Sequence, residues 1–324
     1  MNMMCTADIT ERALLQKYGT RNVPRYTSYP TAPHFHEGVD AEIYKNWLGA
    51  LDADTSLSLY LHVPFCKELC WYCGCATQVA RKYGPVSEYA RVLEREIETV
   101  ASHIGQPGTV RHIHWGGGSP NRLNAHDFSS LMAVLRNRFT LAQDAEIAIE
   151  IDVRSFDDSL VEAYALAGIT RASLGLQDFT PAVQTAIHRE QPFDLVADRV
   201  AALRAAGIDA LNFDLMYGLP YQSTGDAVRS VEMALSLEPS RVAVFGYAHV
   251  PWMRKHQNLI PAEALPGAEA RRDQAVAMTE TLLSAGYVQI GLDHFARPGD
   301  SMAEVTEAGT LKRNFQGYTT DDAA

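Results

Sequence analysis

The sequence predicts an α/β fold, a partial (βα)6 TIM-type barrel with an N-terminal arm, and three observations predict it. From about residue 56, six short β-branched or leucine-rich runs alternate with amphipathic stretches of helical period. Successive connections of that kind must cross over, which makes the strands parallel. The polar residues of the strands gather on one face near the C-terminal ends, the layout of a barrel whose mouth holds a ligand.

Each element follows from its residues. Residues 1–50 read as an arm: a short helical stretch at Ile9–Tyr18, then the turn-rich segment Arg25–Pro33. The barrel follows over 51–296, and 297–324 trail from it. Strands are expected at Leu57–Val63, Val110–Trp115, Ile147–Ile151, Arg171–Leu176, Ala210–Leu215 and Val242–Tyr247. Helices are expected at Tyr89–Ala101, Ser129–Arg138, Leu160–Leu166, Leu195–Ala205, Val228–Leu237 and Arg271–Ala285. A doubly wound sheet shares this rhythm. In the first strand, however, Leu57, Leu59, Leu61 and Val63 alternate with Ser58, Tyr60 and His62, and in the fifth Asn212 and Asp214 share a face. One apolar face under helices and one polar face inside favours the barrel.

Composition excludes some functions. With 28 basic and 39 acidic residues the net charge is −11, which disfavours binding to nucleic acid. The first thirty residues lack a secretory pattern, and no run of roughly 18 apolar residues suggests a membrane span. The expectation is a cytoplasmic protein, and in that reducing compartment clustered thiols point to metal ligation or redox chemistry.

Five cysteines are present, and Cys66, Cys70, Cys73 and Cys75 fall within ten residues, just after the first strand. Cys5 stands alone and is read as having no role. The x3 and x2 spacings let three thiolates of one loop face three corners of an iron–sulfur cube, leaving one iron open to substrate or cofactor. Zinc is the competing reading. It usually gathers Cys/His pairs from separated segments, and no second Cys pair lies downstream, although histidines could complete such a site. A Cys-x-Cys pair is poorly placed to reach two irons of one cluster, so Cys75 is read as a non-ligand.

Cys-x3-Cys-x2-Cys after the first strand of a βα barrel resembles the radical S-adenosylmethionine (SAM) superfamily. The wider resemblance is to the oxygen-independent coproporphyrinogen III oxidase family. It rests on Arg25–Ala32 (RYTSYPTA), Ser58–Cys75, His114–Pro120 (HWGGGSP), Gln177–Phe179, Asp214–Pro220 (DLMYGLP), Asp293–Pro298 (DHFARP) and Arg313–Thr320 (RNFQGYTT), and it runs from about residue 18 to about 320. Cys75 together with the first and last of these stretches is specific to this family.

The resemblance implies a radical SAM partial barrel carrying a [4Fe–4S] cluster on Cys66, Cys70 and Cys73. It implies that a SAM-derived 5′-deoxyadenosyl radical takes a hydrogen from a propionate of coproporphyrinogen III. CO2 and an electron then leave, and repetition gives protoporphyrinogen IX in haem biosynthesis. By similarity Tyr60, Gly117 and Glu150 contact a first SAM. Tyr72, Gly118, Ser119, Gln177, Arg189, Asp214 and Ala248 match a second SAM site. For Glu150 the structural alternative is an ion pair with Arg171 or Arg154; for Gln177 and Asp214 it is a hydrogen bond to each other. His62, inward beside Tyr60, is the histidine read as a candidate to touch substrate or SAM. An electron donor and an electron acceptor are implied as partners, with a monomer and no membrane or nucleic acid.

Two departures are local. Ser119 replaces the family's common Thr and keeps the hydroxyl, and Val153 replaces a usual Pro, which is expected to loosen that loop. The third concerns length: family members continue past RNFQGYTT into a segment that helps close the first SAM site and a mainly helical C-terminal domain over the mouth. Residues 297–324 are read as the start of that segment. The alternatives to the enzyme are a haem or porphyrin carrier on the same barrel, and an inactive shortened member.

Overall fold

The structure, a computed structural model, describes residues 13–15, 17–19, 28–106, 108–321 and 323. Of the expected helix Ile9–Tyr18, residues 13–15 and 17–18 are helical and the rest lies outside the described residues, as do Arg25, Tyr26 and Thr27 of the arm. Helix α1 (Ala41–Gly49) begins at Asp40, whose side chain accepts the Ile43 amide.

The strands come in chain order as β1 (Ser56–Val63), the short β2 (Phe65–Cys66) and β3 (Gln78–Val79), β4 (Thr109–Gly117), β5 (Thr140–Ile151), β6 (Arg171–Gln177), β7 (Ala210–Tyr217) and β8 (Arg241–Gly246). Six of them pair in parallel in the order β1-β4-β5-β6-β7-β8. Beyond β8, β9 (Val288–Ile290) and β10 (His294–Ala296) extend the sheet antiparallel in the order β8-β10-β9. This antiparallel edge was not expected: three-residue strands are too short to show a period.

Between the strands lie α2 (Gly84–His103), α3 (Ala125–Arg138), α4 (Asp158–Leu166), α5 (Pro181–Ala186), α6 (Phe193–Ala205), α7 (Thr224–Ser236) and α8 (Ala268–Ser284). Helix α2 buries Val86, Ala90, Leu93 and Ile97, one stripe at i, i+4, i+7 and i+11. Asn124, Asp157 and a Ser223–Asp226 capping box start α3, α4 and α7. The main core lies between these helices and the outer face of the sheet. Trp115, Phe128, Tyr164 and Phe156 form an aromatic chain there, with successive ring centroids 5.2, 4.7 and 5.6 Å apart. Each such pair adds about 1 kcal/mol to plain burial.

The inner face is polar and layered. Low in the barrel, Arg171 meets Glu146 at 3.1 Å and Asp300 at 3.5 Å, and Arg241 meets Asp300 at 2.7 Å. Asp300 also caps α9 (Ser301–Glu307), so that helix is locked to β6 and β8. The hairpin β11 (Lys312–Asn314) and β12 (Gly317–Thr319) folds back on the barrel. There Phe315 sets its edge on Tyr60 at 5.0 Å, and Leu292 donates its amide to the Tyr318 hydroxyl at 3.2 Å.

Candidate active site

Immediately past β1, the cysteine loop opens at β2 and is closed at its base by parallel pairing of β2 with β3. Four hydrogen bonds and one ring stack hold the segment in between. Trp71 donates its amide to the Ile187 carbonyl at 3.0 Å, and its ring stacks on His188 at 5.2 Å. His188 Nδ1 donates to the Leu69 carbonyl at 3.0 Å, Gln257 Nε2 to Tyr72 at 3.0 Å, and His256 Nε2 to Cys73 at 2.7 Å. Held this way, Cys66, Cys70, Cys73 and Cys75 all line one cleft of about 560 Å³ over the C-terminal strand ends.

The four thiols sit in different surroundings. Burial pushes Cys66 up to about 11, and Ser119 Oγ lies 3.8 Å from its sulfur. Cys75 hydrogen-bonds to Cys73, which brings Cys73 down to about 6 and drives Cys75 above its usual value. Cys70 is buried and accepts from two guanidinium groups, Arg154 Nη2 at 3.2 Å and Arg189 Nη1 at 3.4 Å. Asp152 braces Arg154 through Nε at 3.0 Å and Nη2 at 2.7 Å, and lies 3.6 Å from Arg189. Burial would raise the Asp152 carboxyl, but Arg189 and Arg154 overrule it and hold it at about 2.

The strand ends supply the opposite wall. Gly117 has φ +117°, and a Cβ there would come within 2.7 Å of the His62 ring; its amide donates to Glu150 Oε2 at 3.2 Å. Gly118 is as tight, since a Cβ would meet the carbonyls of Pro64 and Phe65 at 2.9 Å. Glu150 also receives His114 Nε2 at 3.2 Å. The ion pair weighed for Glu150 is not formed, because Arg171 goes to Glu146 and Asp300, and Arg154 to Asp152. Nor do Gln177 and Asp214 satisfy each other: Asp214 accepts from Asn212 at 2.9 Å and Ser173 at 3.4 Å. Burial, reinforced by the Glu150 charge, raises Asp214 to about 6. Gln177 takes a left-handed conformation, φ 66°, at the end of β6.

Of the residues expected from sequence, Tyr72, Gly117, Gly118, Ser119, Glu150, Gln177, Arg189, Asp214 and Ala248 line the same cleft as the cysteines. Tyr60 and His62 are not part of that lining. The Tyr60 hydroxyl meets His62 Nδ1 at 3.0 Å, and His62 Nε2 donates to the Ala76 carbonyl at 3.1 Å. The expected loosening at Val153 meets a firm loop: Val153 is buried, and the Asn121 amide bonds both the carbonyl and the amide of Asp152 at 3.0 Å. Sequence reasoning missed the Asp152–Arg154 brace, His256 and Gln257. The signal available was Asp152-x-Arg154 two residues after Glu150.

The donor set suits an iron–sulfur cluster. Three soft thiols of one loop share a cleft with guanidinium donors, and tight glycines let backbone approach a ligand. Among the described residues, no three Cys, His, Asp or Glu side chains close around one point, as a single-ion site would require. Also among these residues, no helix is long and apolar enough to cross a membrane.

Comparison with known proteins agrees with this geometry. Residues 60–234 match the model of the radical SAM superfamily. The oxygen-independent coproporphyrinogen III oxidase of Bradyrhizobium diazoefficiens is 54% identical over 308 residues, which are 95% of this chain and 68% of that protein. The protein of the same name from Pseudomonas aeruginosa is 40% identical, over 95% of this chain and 67% of its own length. Among solved structures, the coproporphyrinogen III oxidase of Escherichia coli, described as a radical SAM enzyme, superposes with a TM-score of 0.88 at 37% identity, over 96% of this chain and 70% of that one. Fold, cleft and kinship converge: the chain belongs to the oxygen-independent coproporphyrinogen III oxidase family of the radical SAM superfamily.

Proposed function

We propose that this chain carries out the oxidative decarboxylation of coproporphyrinogen III, turning two propionate side chains into vinyl groups to give protoporphyrinogen IX. The observation that carries the reading is the meeting of the three-cysteine loop with Gly117, Gly118, Glu150 and Asp214 in one cleft. In each round the propionate loses a hydrogen atom, CO2 and one further electron, so an electron donor and an electron acceptor are both required. When bound, the cluster and SAM supply the reducing electron and the hydrogen-abstracting radical.

The chain's own residues bind, orient and shield. Cys66, Cys70 and Cys73 hold the cluster, and Cys75 does not. Tyr60, Gly117 and Glu150 hold a first SAM, with the Glu150 carboxylate placed to accept from an ammonium or hydroxyl group. Tyr72, Gly118, Ser119, Gln177, Arg189, Asp214 and Ala248 hold a second SAM, where Asp214 accepts ribose hydroxyls. His62, whose Nδ1 meets the Tyr60 hydroxyl at 3.0 Å, is the histidine that touches substrate or SAM. Residues 1–50 serve as an arm, 51–296 as the barrel and 297–324 as a trailing segment. The protein works as a cytoplasmic monomer, without membrane or nucleic acid.

Substrate-dependent CO2 release by the anaerobically reconstituted chain, with SAM cleaved to 5′-deoxyadenosine, is the deciding measurement. Release of CO2 only when coproporphyrinogen III, SAM and a reductant are all present is expected. Tight porphyrinogen binding with neither product formed would instead favour a carrier.

A further inference from the structure

The brace beneath Cys70 contains more positive charge than a folded loop needs. Two guanidinium groups donate to one sulfur, at 3.2 Å from Arg154 and 3.4 Å from Arg189, and only one carboxylate, Asp152, lies between them. Two cations against one anion leave a net positive charge facing that sulfur. Arg189 is also fastened by the Gly175 carbonyl at 2.6 Å and Gln191 Oε1 at 3.0 Å, so it is held without Asp152. Arg154 depends on Asp152: its other contact is the His188 carbonyl, at 3.5 Å. Asp152 is itself fixed by Asn121, which bonds its backbone on both sides.

We propose that Asp152 and Arg154 are a positioning pair that keeps a guanidinium N–H on the Cys70 sulfur and so makes the cluster bound there easier to reduce. The proposal rests on the reading of Cys70 as a cluster ligand. A cationic N–H donor withdraws electron density from a ligating thiolate and stabilises the more negative, reduced cluster; such hydrogen bonds are among the protein's main controls on cluster potential. Asp152 supplies direction. Its two oxygens fit the guanidinium fork, which an ammonium cannot match.

The test is a redox titration of the full chain with its cluster reconstituted, followed by electron paramagnetic resonance without SAM or substrate. At the potential where the wild-type cluster is half reduced, Arg154→Leu should shift the reduced-to-oxidised ratio about tenfold toward oxidised, equivalent to about 59 mV for one electron. Asp152→Asn, which frees Arg154 but also removes an opposing negative charge, should shift it less, and Arg154→Lys should restore part of the loss. Iron and sulfide content should match wild type, and if Arg154→Leu loads poorly, the two milder variants carry the comparison. An unchanged potential in loaded variants overturns the proposal, as does a change seen only once SAM is added, which would make Arg154 a SAM contact. Failure of the wild-type chain to assemble any cluster would overturn the underlying reading of Cys70 as well, so the two failures are told apart.

Discussion

Gly117 donates its amide to Glu150 Oε2 at 3.2 Å, which ties the end of the second barrel strand to the end of the third where both face the cleft. Gly117→Ala attacks that tie twice, through φ +117° and through a Cβ 2.7 Å from the His62 ring. The variant should lose about 1–3 kcal/mol of stability and most of its SAM affinity. Urea unfolding and equilibrium dialysis with SAM check both, and wild-type affinity in the alanine variant would refute the role given to this residue.

Cys66→Ser, Cys70→Ser and Cys73→Ser should each fail to retain a full cluster, because each removes one of three thiolate ligands in the proposed site. Cys75→Ser should load normally. Iron and sulfide analysis with the visible absorption spectrum distinguishes them, and a cluster-free Cys75→Ser protein would force Cys75 into the ligand set. The loaded wild type should bleach on exposure to air, since the thiols that would hold its cluster line an open cleft.

Asp214 should make stability depend on pH. Its folded carboxyl stands at about 6, above the roughly 3.9 of an unfolded aspartate. A raised carboxyl favours the folded state below about pH 4 and loses that contribution as the pH climbs through 6. Asp214→Asn removes the titration, so at pH 7.5 the variant should be more stable than wild type by about 3 kcal/mol, with the gap closing near pH 4. Parallel urea unfolding at the two pH values measures it; a gap of constant size would be the wrong result.

Asp300 is shared by Arg171 and Arg241 deep in the barrel and also caps α9. Truncation to alanine leaves buried Arg241 without the carboxylate it contacts, while Arg171 keeps Glu146, a loss of about 3–5 kcal/mol. Asp300→Asn, which keeps the cap, should lose less. Chemical unfolding followed by circular dichroism reads both; a loss under about 1 kcal/mol for the alanine variant would show that water replaces the carboxylate there.

The parallel barrel was legible because its signals are local and repeated. Ile147, Ile149 and Ile151 announce a strand, and Ala90, Leu93 and Ile97 a helix, without help from the rest of the chain, although the expected Tyr89–Ala101 falls short of the observed start at Gly84. The antiparallel edge at Val288–Ile290 and His294–Ala296 and the hairpin around Phe315 and Gln316 were not, because three-residue strands obtain their order from the neighbours they pair with. The same divide runs through the site. Spacing alone exposes three thiols on one loop, but Arg154 meets Cys70 across 84 residues of sequence, and Gln257 meets Tyr72 across 185. Contacts of that separation leave no periodic trace.

The moorings of the cysteine loop bear on how the protein is made and maintained. With the carbonyls of Leu69, Tyr72 and Cys73 secured by His188, Gln257 and His256, the thiols are presented in place by side chains that belong to other parts of the fold. Loss of any one of these three side chains should therefore loosen the cysteine loop without removing a thiol.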